Sequence, residues 1–347
     1  MVRRRISTPI LLALIVAITL FLWKHQEEEM FIIHQDLIDP FLANLSSPPS
    51  LRRSASLNFS KSSMYLNLTQ FSESYPALQT YRCRMVIGLV GYCRTQDPLI
   101  ILAVKSHPGS FERREVLRST WARETMIQMY KFKPLFLLAN SGRRNEMEKM
   151  MLEAAFYGDI ILWDFMESHH NLSLKEKCFL EWLYHRCQRA SYIFKVDDDE
   201  FVNPHAIAAY INSVKDLPPQ IHGHRHLDAP VERYGKYAIP TSVYPYKTYP
   251  PFVSGGGFII PSPLIPRLFE ASGWMPVFPL DDVFLGFLAL AANISFRHEA
   301  HFFSFGLENH KPCSLKDVLA AHGLPQPKIM KLWKLLPYIP PCPPDSA

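Results

Sequence analysis

The chain has 347 residues, 48% of them hydrophobic, which is enough for a large core in one or two domains and excludes disorder throughout. A formal net charge of +5 is modest for this length, and no dense Lys/Arg run follows the N-terminus, so nucleic acid is not an implied partner.

Arg3-Arg4-Arg5 precede an uncharged apolar run at 10–23, and Lys24 and Glu27-Glu28-Glu29 follow it. Basic residues before such a run and acidic ones after it direct the N-terminus to the cytosol. Extended back through Ile6, the run approaches the ~17 to 20 residues of a membrane span. The Lys-His-Gln-Glu that follows Trp23 lacks the small-x-small pattern of signal-peptide cleavage. The expected organisation is a cytoplasmic tail at 1–9, a signal-anchor helix at 10–23, a Ser-rich stem at 24–82 and a luminal globular domain at 83–347. Sequons at Asn44, Asn58, Asn67, Asn171 and Asn293 support luminal placement. The six cysteines fit an oxidising compartment. Cys178 and Cys187 fall in one expected helix, on opposite faces and about 13 Å apart along its axis, so they cannot bridge each other. Disulfides are expected among Cys83, Cys93, Cys313 and Cys342.

From residue 99 the pattern alternates. Strands are expected at 99–104, 134–139, 159–163 and 192–196, and helices at 111–122, 143–156 and 173–187, the last opened by a Ser173/Glu176 capping box. Such alternation predicts an α/β fold with a mostly parallel sheet and helices on both faces, in which ligands sit outside the carboxyl ends of the strands. Further on, Tyr- and Pro-rich strands are expected over 234–252, a helix over 281–292 and a C-terminal helical pair near Leu315 and Ile329.

The strand at 192–196 ends in Asp197-Asp198-Asp199. Three adjacent carboxylates repel one another unless a cation is held there, so Asp199 is expected to ligate Mn²⁺ or Mg²⁺, with Asp197 or Asp198 meeting a ribose or the ion's waters. Arg114, Arg118 and Trp121 share one helix face; they suit a diphosphate, although the same spacing fits an amphipathic helix with its Trp in the core. The run Ser254-Gly255-Gly256-Gly257 lies between apolar residues, where a close approach to backbone is a reason for glycine. Asp281 and Asp282 open a helix. One of them suffices as a cap, which leaves the second free to act as a base. The late His298 offers a further metal ligand.

Four blocks together resemble the β-1,3-glycosyltransferases of glycosyltransferase family 31. They are Phe111-Glu-Arg-Arg-Glu-Val-Leu-Arg-Ser-Thr-Trp121, Phe194-Lys-Val-Asp-Asp-Asp-Glu-Phe-Val-Asn203, Tyr249-Pro-Pro-Phe-Val-Ser-Gly-Gly-Gly257 and Leu280-Asp-Asp-Val-Phe-Leu-Gly286. The resemblance implies a GT-A fold and inverting, metal-dependent transfer from a UDP-sugar, by a single-pass type II Golgi membrane protein. It implies Asp282 as the base, Asp199 and His298 at the metal, and Arg114, Arg118, Asp197, Asp198, Gly255 and Gly256 around the nucleotide sugar. Asp281, where galactosyl members commonly carry Glu, and the terminal Ile329-Met-Lys-Leu-Trp333 imply the N-acetylglucosaminyl branch. UDP-N-acetylglucosamine is then the donor, and a galactose-type glycan on glycoprotein or glycolipid the acceptor, receiving a β-1,3 linkage. A β-1,3-galactosyltransferase and a catalytically silent glycan-binding relative are the alternatives, and dimerisation is left open. Ala122 and Glu200 depart from the family pattern, Glu200 standing where an apolar residue is usual.

Overall fold

A computed structural model describes residues 54–59, 62–307, 311–340 and 342. The tail, the signal anchor and the first part of the stem lie outside the described residues, among which no helix is long and apolar enough to cross a membrane. β1 (Ser54–Phe59) and β2 (Ser62–Asn67) pair antiparallel. Two short helices, Leu68–Ser74 and Pro76–Thr80, follow. Leu66, Phe71 and Leu78 are buried in the main core, so the end of the expected stem belongs to the folded unit.

The centre is a nine-stranded sheet. Its strands are β3 (Met85–Ile87), β4 (Leu99–Lys105), β5 (Thr125–Ile127), β6 (Tyr130–Asn140), β7 (Ile160–Met166), β8 (Ala190–Asp197), β10 (Ile221–His226), β11 (Phe252–Pro261) and β12 (Phe296–His298), with β9 (Phe201–Val202) lying outside it. The order is β12-β10-β11-β8-β4-β6-β7-β3, with β5 on β6. β8, β4, β6 and β7 run parallel, and β11 runs antiparallel to both neighbours.

Every residue of β4 is buried, as expected of a central parallel strand covered on both faces. Leu99, Ile101 and Ala103 face one core, built with the helices Leu172–Arg186, Ile265–Ser272 and Asp281–Ala291. Ile100, Leu102 and Val104 face a second, built with Phe111–Ser119, Arg144–Tyr157, Pro204–Val214 and Gln326–Leu335. The period of two along one strand thus produces a three-layer architecture.

Three sequence expectations change. The capping box at Ser173 does not form: Asn171 is the N-cap, and Glu176 is buried and ion-paired with Lys195 of β8. The expected 234–252 strands are a loop of turns up to 251, with a bridge between Pro230 and Thr248, and only Phe252 is in a strand, the first residue of β11. The disulfides are Cys83–Cys178, Cys93–Cys187 and Cys313–Cys342. Cys178 and Cys187 indeed do not pair with each other; each pins the segment ahead of β4 to the same helix, closing loops that span 95 and 94 residues.

Candidate active site

The register of the sheet brings the ends of β4 and β8 level, with Lys105 opposite Asp197. Beyond β8 the chain turns through Asp198 and Asp199 into β9, which joins a small sheet with β14 (Ala320–Ala321) and β13 (Phe302–Phe303). β14 pairs antiparallel with β9, which sets His322 beside the turn. His322 Nε2 lies 3.6 Å from Asp199 Oδ1 and 4.0 Å from Asp197 Oδ2. Ligand atoms from these three residues all fall within 4.8 Å of one another. Two carboxylates and an imidazole, all partly open to solvent, are a donor set that fits Mn²⁺ or Mg²⁺.

His322 thus occupies the place expected for His298. His298 lies on β12, where its Nδ1 accepts the Arg225 N–H at 3.2 Å and its ring meets His224 at 5.2 Å. Asp198 is buried with both oxygens engaged, by Ser106 Oγ at 2.7 Å and Arg113 Nη1 at 2.9 Å, so it braces the turn rather than opening toward a ribose.

The arginines divide differently from the helical spacing. Arg114 is fully buried; it donates to both oxygens of Glu153, to Ser106 Oγ and to the carbonyls of His107 and Pro108. That uses all five of its donors. Arg118 pairs with Asp159, Glu153 and Glu115 and lies over the Tyr157 ring. Both hold the frame, and neither is available to a diphosphate. Arg113, half-exposed and bound to Asp198, is the arginine of this helix that reaches the Asp turn. Trp121 is in the core, with its indole N–H donating to the Glu200 carbonyl at 2.9 Å.

Glu200 is fully buried. Its Oε1 accepts the Asp197 N–H at 3.0 Å, and its Oε2 has no partner. Burial, with Asp197 and Asp199 adding to it, pushes its pKa well above the ordinary carboxylate range, and its Oε1 clamps the turn from beneath.

The glycine run begins β11. A Cβ on Gly256 would stand 3.0 Å from the His322 Cβ, and one on Gly255 would stand 3.5 Å from Lys105 Nζ and 3.8 Å from the Asp282 Cβ. Gly257, at φ +108°, would meet the Ala320 Cβ at 2.9 Å. Glycine at 256 and 257 lets β14 and His322 close on this strand, whereas a Cβ at 255 would meet Lys105 and Asp282 only at ordinary contact distance.

Asp281 and Asp282 occupy the first turn of their helix, where the dipole favours negative charge. Lys105 Nζ, buried at the end of β4, lies 2.7 Å from Asp281 Oδ2 and 3.0 Å from Asp197 Oδ1. Burial alone would lower the Lys105 pKa, but the two carboxylates outweigh it and hold the ammonium charged. Asp281 is held below its ordinary value because Lys105 overcomes the effect of burial. Asp282, which accepts the Val283 N–H at 2.7 Å, is pushed up to about 7 by burial and then by the Asp281 charge. The metal-fitting cluster and Asp281, the neighbour of Asp282, are therefore joined through one lysine.

Sequence reasoning missed Lys105, Arg113 and His322. A lysine ending an otherwise apolar strand was a signal for Lys105; nothing local marked His322, which arrives through a nonlocal strand pair.

A family model described as "Galactosyltransferase" matches residues 112–300. The chain is 31% identical over 301 residues to the UDP-GlcNAc:betaGal beta-1,3-N-acetylglucosaminyltransferase 7 of Rattus norvegicus, covering 82% of this chain and 75% of the relative. It is 31% identical over 254 residues to the UDP-GalNAc:beta-1,3-N-acetylgalactosaminyltransferase 1 of Homo sapiens, covering 70% and 76%. To the Beta-1,3-galactosyltransferase 5 of Mus musculus it is 31% identical over 250 residues, covering 70% and 80%. With the family match spanning the Asp turn, the glycine run and the acidic helix, the chain belongs to the galactosyltransferase family, family 31 of the glycosyltransferases.

Proposed function

We propose that this protein is an inverting GT-A glycosyltransferase that moves N-acetylglucosamine from UDP-N-acetylglucosamine to the 3-hydroxyl of a galactose-type acceptor, forming a β-1,3 bond. The observation that carries the reading is the Asp197–Lys105–Asp281 bridge, which ties the metal-fitting cluster to the helix turn that also carries Asp282.

Asp197, Asp199 and His322 would hold Mn²⁺ or Mg²⁺, which supplies positive charge for a departing diphosphate. Arg113 adds a guanidinium on the same side. In a single displacement the acceptor 3-oxygen bonds to the sugar C1 from the face opposite UDP, the C1–phosphate bond breaks, and UDP leaves with the electron pair. Asp282 takes the hydroxyl proton as that bond forms. Inversion turns the α-linked donor into a β-linked product without a covalent enzyme intermediate. Asp281, kept ionised by Lys105, keeps the Asp282 pKa high enough for a useful base.

Asp281 supports N-acetylglucosamine as the donor sugar, as do the relatives named N-acetylglucosaminyltransferases among those similar to the chain. The signal-anchor pattern and the three disulfides support a luminal catalytic domain of a type II Golgi membrane protein. The test is incubation of the chain with Mn²⁺, a galactose-terminated acceptor and, in parallel, UDP-N-acetylglucosamine, UDP-N-acetylgalactosamine and UDP-galactose. Linkage analysis should find a β-1,3 product from the first donor. Turnover only with UDP-galactose would move the assignment to a galactosyltransferase, and no UDP release with any donor would leave a silent glycan-binding relative.

A further inference from the structure

Asp197, Asp198 and Asp199 are followed directly by a fourth acidic residue, Glu200. It is fully buried, and the displacement proposed above gives it no step. Its carboxyl turns back along the chain. Oε1 accepts the Asp197 N–H at 3.0 Å, so the side chain closes a turn that began three residues earlier. A local bond of this kind between side chain and backbone fixes the path of the residues it spans.

Other elements build the slot that receives this carboxyl. A Cβ on Gly257 of β11 would stand 3.2 Å from Glu200 Oε2, so the slot depends on glycine there. The Glu200 carbonyl accepts the Trp121 indole N–H at 2.9 Å, and the Asp199 carbonyl accepts the Leu324 N–H at 2.8 Å. Beyond Glu200 the chain enters β9, which pairs with β14, the strand that ends just before His322. Two members of the metal-fitting cluster, Asp197 and Asp199, thus lie on one tied turn, and the third is set by the strand pair at its exit.

Ligands held in this way discriminate between ions by size. Mg²⁺ takes six oxygens at about 2.0–2.1 Å, whereas Ca²⁺ takes six to eight at about 2.3–2.6 Å and suits ligands that can move apart. Mn²⁺ shares the octahedral preference. We infer that Glu200 is a positioning residue that holds Asp197 and Asp199 at a fixed spacing and thereby selects a small octahedral cation, Mn²⁺ or Mg²⁺, over Ca²⁺. The inference rests on the reading of Asp197, Asp199 and His322 as metal ligands.

Metal affinity, measured apart from turnover, tests it. Mn²⁺ and Ca²⁺ are titrated separately by calorimetry into the full chain with UDP present, against a protein-free blank. The wild type should bind Mn²⁺ at least about tenfold more tightly than Ca²⁺. Glu200→Met fills the same space without an acceptor oxygen. It should keep the fold while Mn²⁺ affinity falls about tenfold and Ca²⁺ affinity changes by less than about twofold. Glu200→Gln keeps an acceptor and should stay within about twofold of wild type for both ions. Each ratio compares two ions on the same folded protein, so lost stability does not mimic the effect. No preference in the wild type, an unchanged ratio in Glu200→Met, or an equal loss in Glu200→Gln would each overturn the positioning role. A wild type that binds neither ion would overturn the ligand assignment and the inference with it. A wild type that shows the preference and loses it in Glu200→Met, yet transfers no sugar from any donor, would overturn the transferase reading and leave the inference standing.

Discussion

Lys105 Nζ and Asp281 Oδ2 are 2.7 Å apart, joining the end of a central strand to the first turn of the helix that carries Asp282. The same ammonium lies 3.0 Å from Asp197, so a single buried cation bridges a carboxylate of the metal-fitting cluster and the neighbour of Asp282. Removing it as Lys105→Met leaves two carboxylates facing each other in a buried site. A loss of about 3–5 kcal/mol is expected, measured by denaturant unfolding. Adding Asp281→Asn should recover part of that loss, because one of the stranded charges is gone; strict additivity of the two changes would deny the coupling.

The Asp282 carboxyl, raised to about 7, is expected to set the pH profile. Only its ionised form accepts a proton, so kcat/KM should fall about tenfold per pH unit below 7 and level off above it. The stability linkage has the opposite direction. Its folded pKa is above its unfolded value, so the contribution to stability is fully present below about pH 4 and is lost as pH rises through about 7. A flat kcat/KM between pH 5.5 and 8 would remove Asp282 from the base role.

Arg113 and Arg114, adjacent in sequence, should fail in different ways. Arg114→Ala strands Glu153, which also binds Arg118, and is expected to destabilise the fold by about 3–5 kcal/mol. Arg113→Ala touches a half-exposed pair and should change stability by about 1 kcal/mol or less, while raising the KM for the UDP-sugar. Thermal melts and donor titrations on the two variants separate the roles.

Much of the fold could be read from local pattern. The apolar β4, interrupted only by its terminal Lys105, the largely apolar β8 and the alternation with amphipathic helices predicted the parallel centre, and the Asp triplet fell at a strand end as expected. The failures are nonlocal. A helix face known only by spacing does not say which arginine meets a distant glutamate, and Glu153 captured both Arg114 and Arg118. Glu176 satisfied a capping rule in sequence but sits opposite Lys195, whose buried charge required a partner. Cys83 and Cys93 found their partners through the packing of one helix on the sheet, which spacing does not encode.

His322 and His298 test the metal cluster against its sequence rival. His322→Ala should weaken Mn²⁺ binding in the presence of UDP by at least about tenfold, read by calorimetry, and His298→Ala should leave it unchanged. Chelation with EDTA should stop transfer, with activity restored by Mn²⁺. The reverse ranking of the two histidines would place the ion elsewhere.

The most direct measurement compares wild type and Asp282→Asn for UDP affinity and for formation of a β-1,3-linked product from UDP-N-acetylglucosamine. Asp282→Asn is nearly isosteric and keeps its carbonyl oxygen for the Val283 N–H, so the fold and UDP affinity should persist while transfer falls by at least about 10²-fold. Near wild-type transfer by Asp282→Asn would contradict Asp282 as the group that takes the acceptor proton.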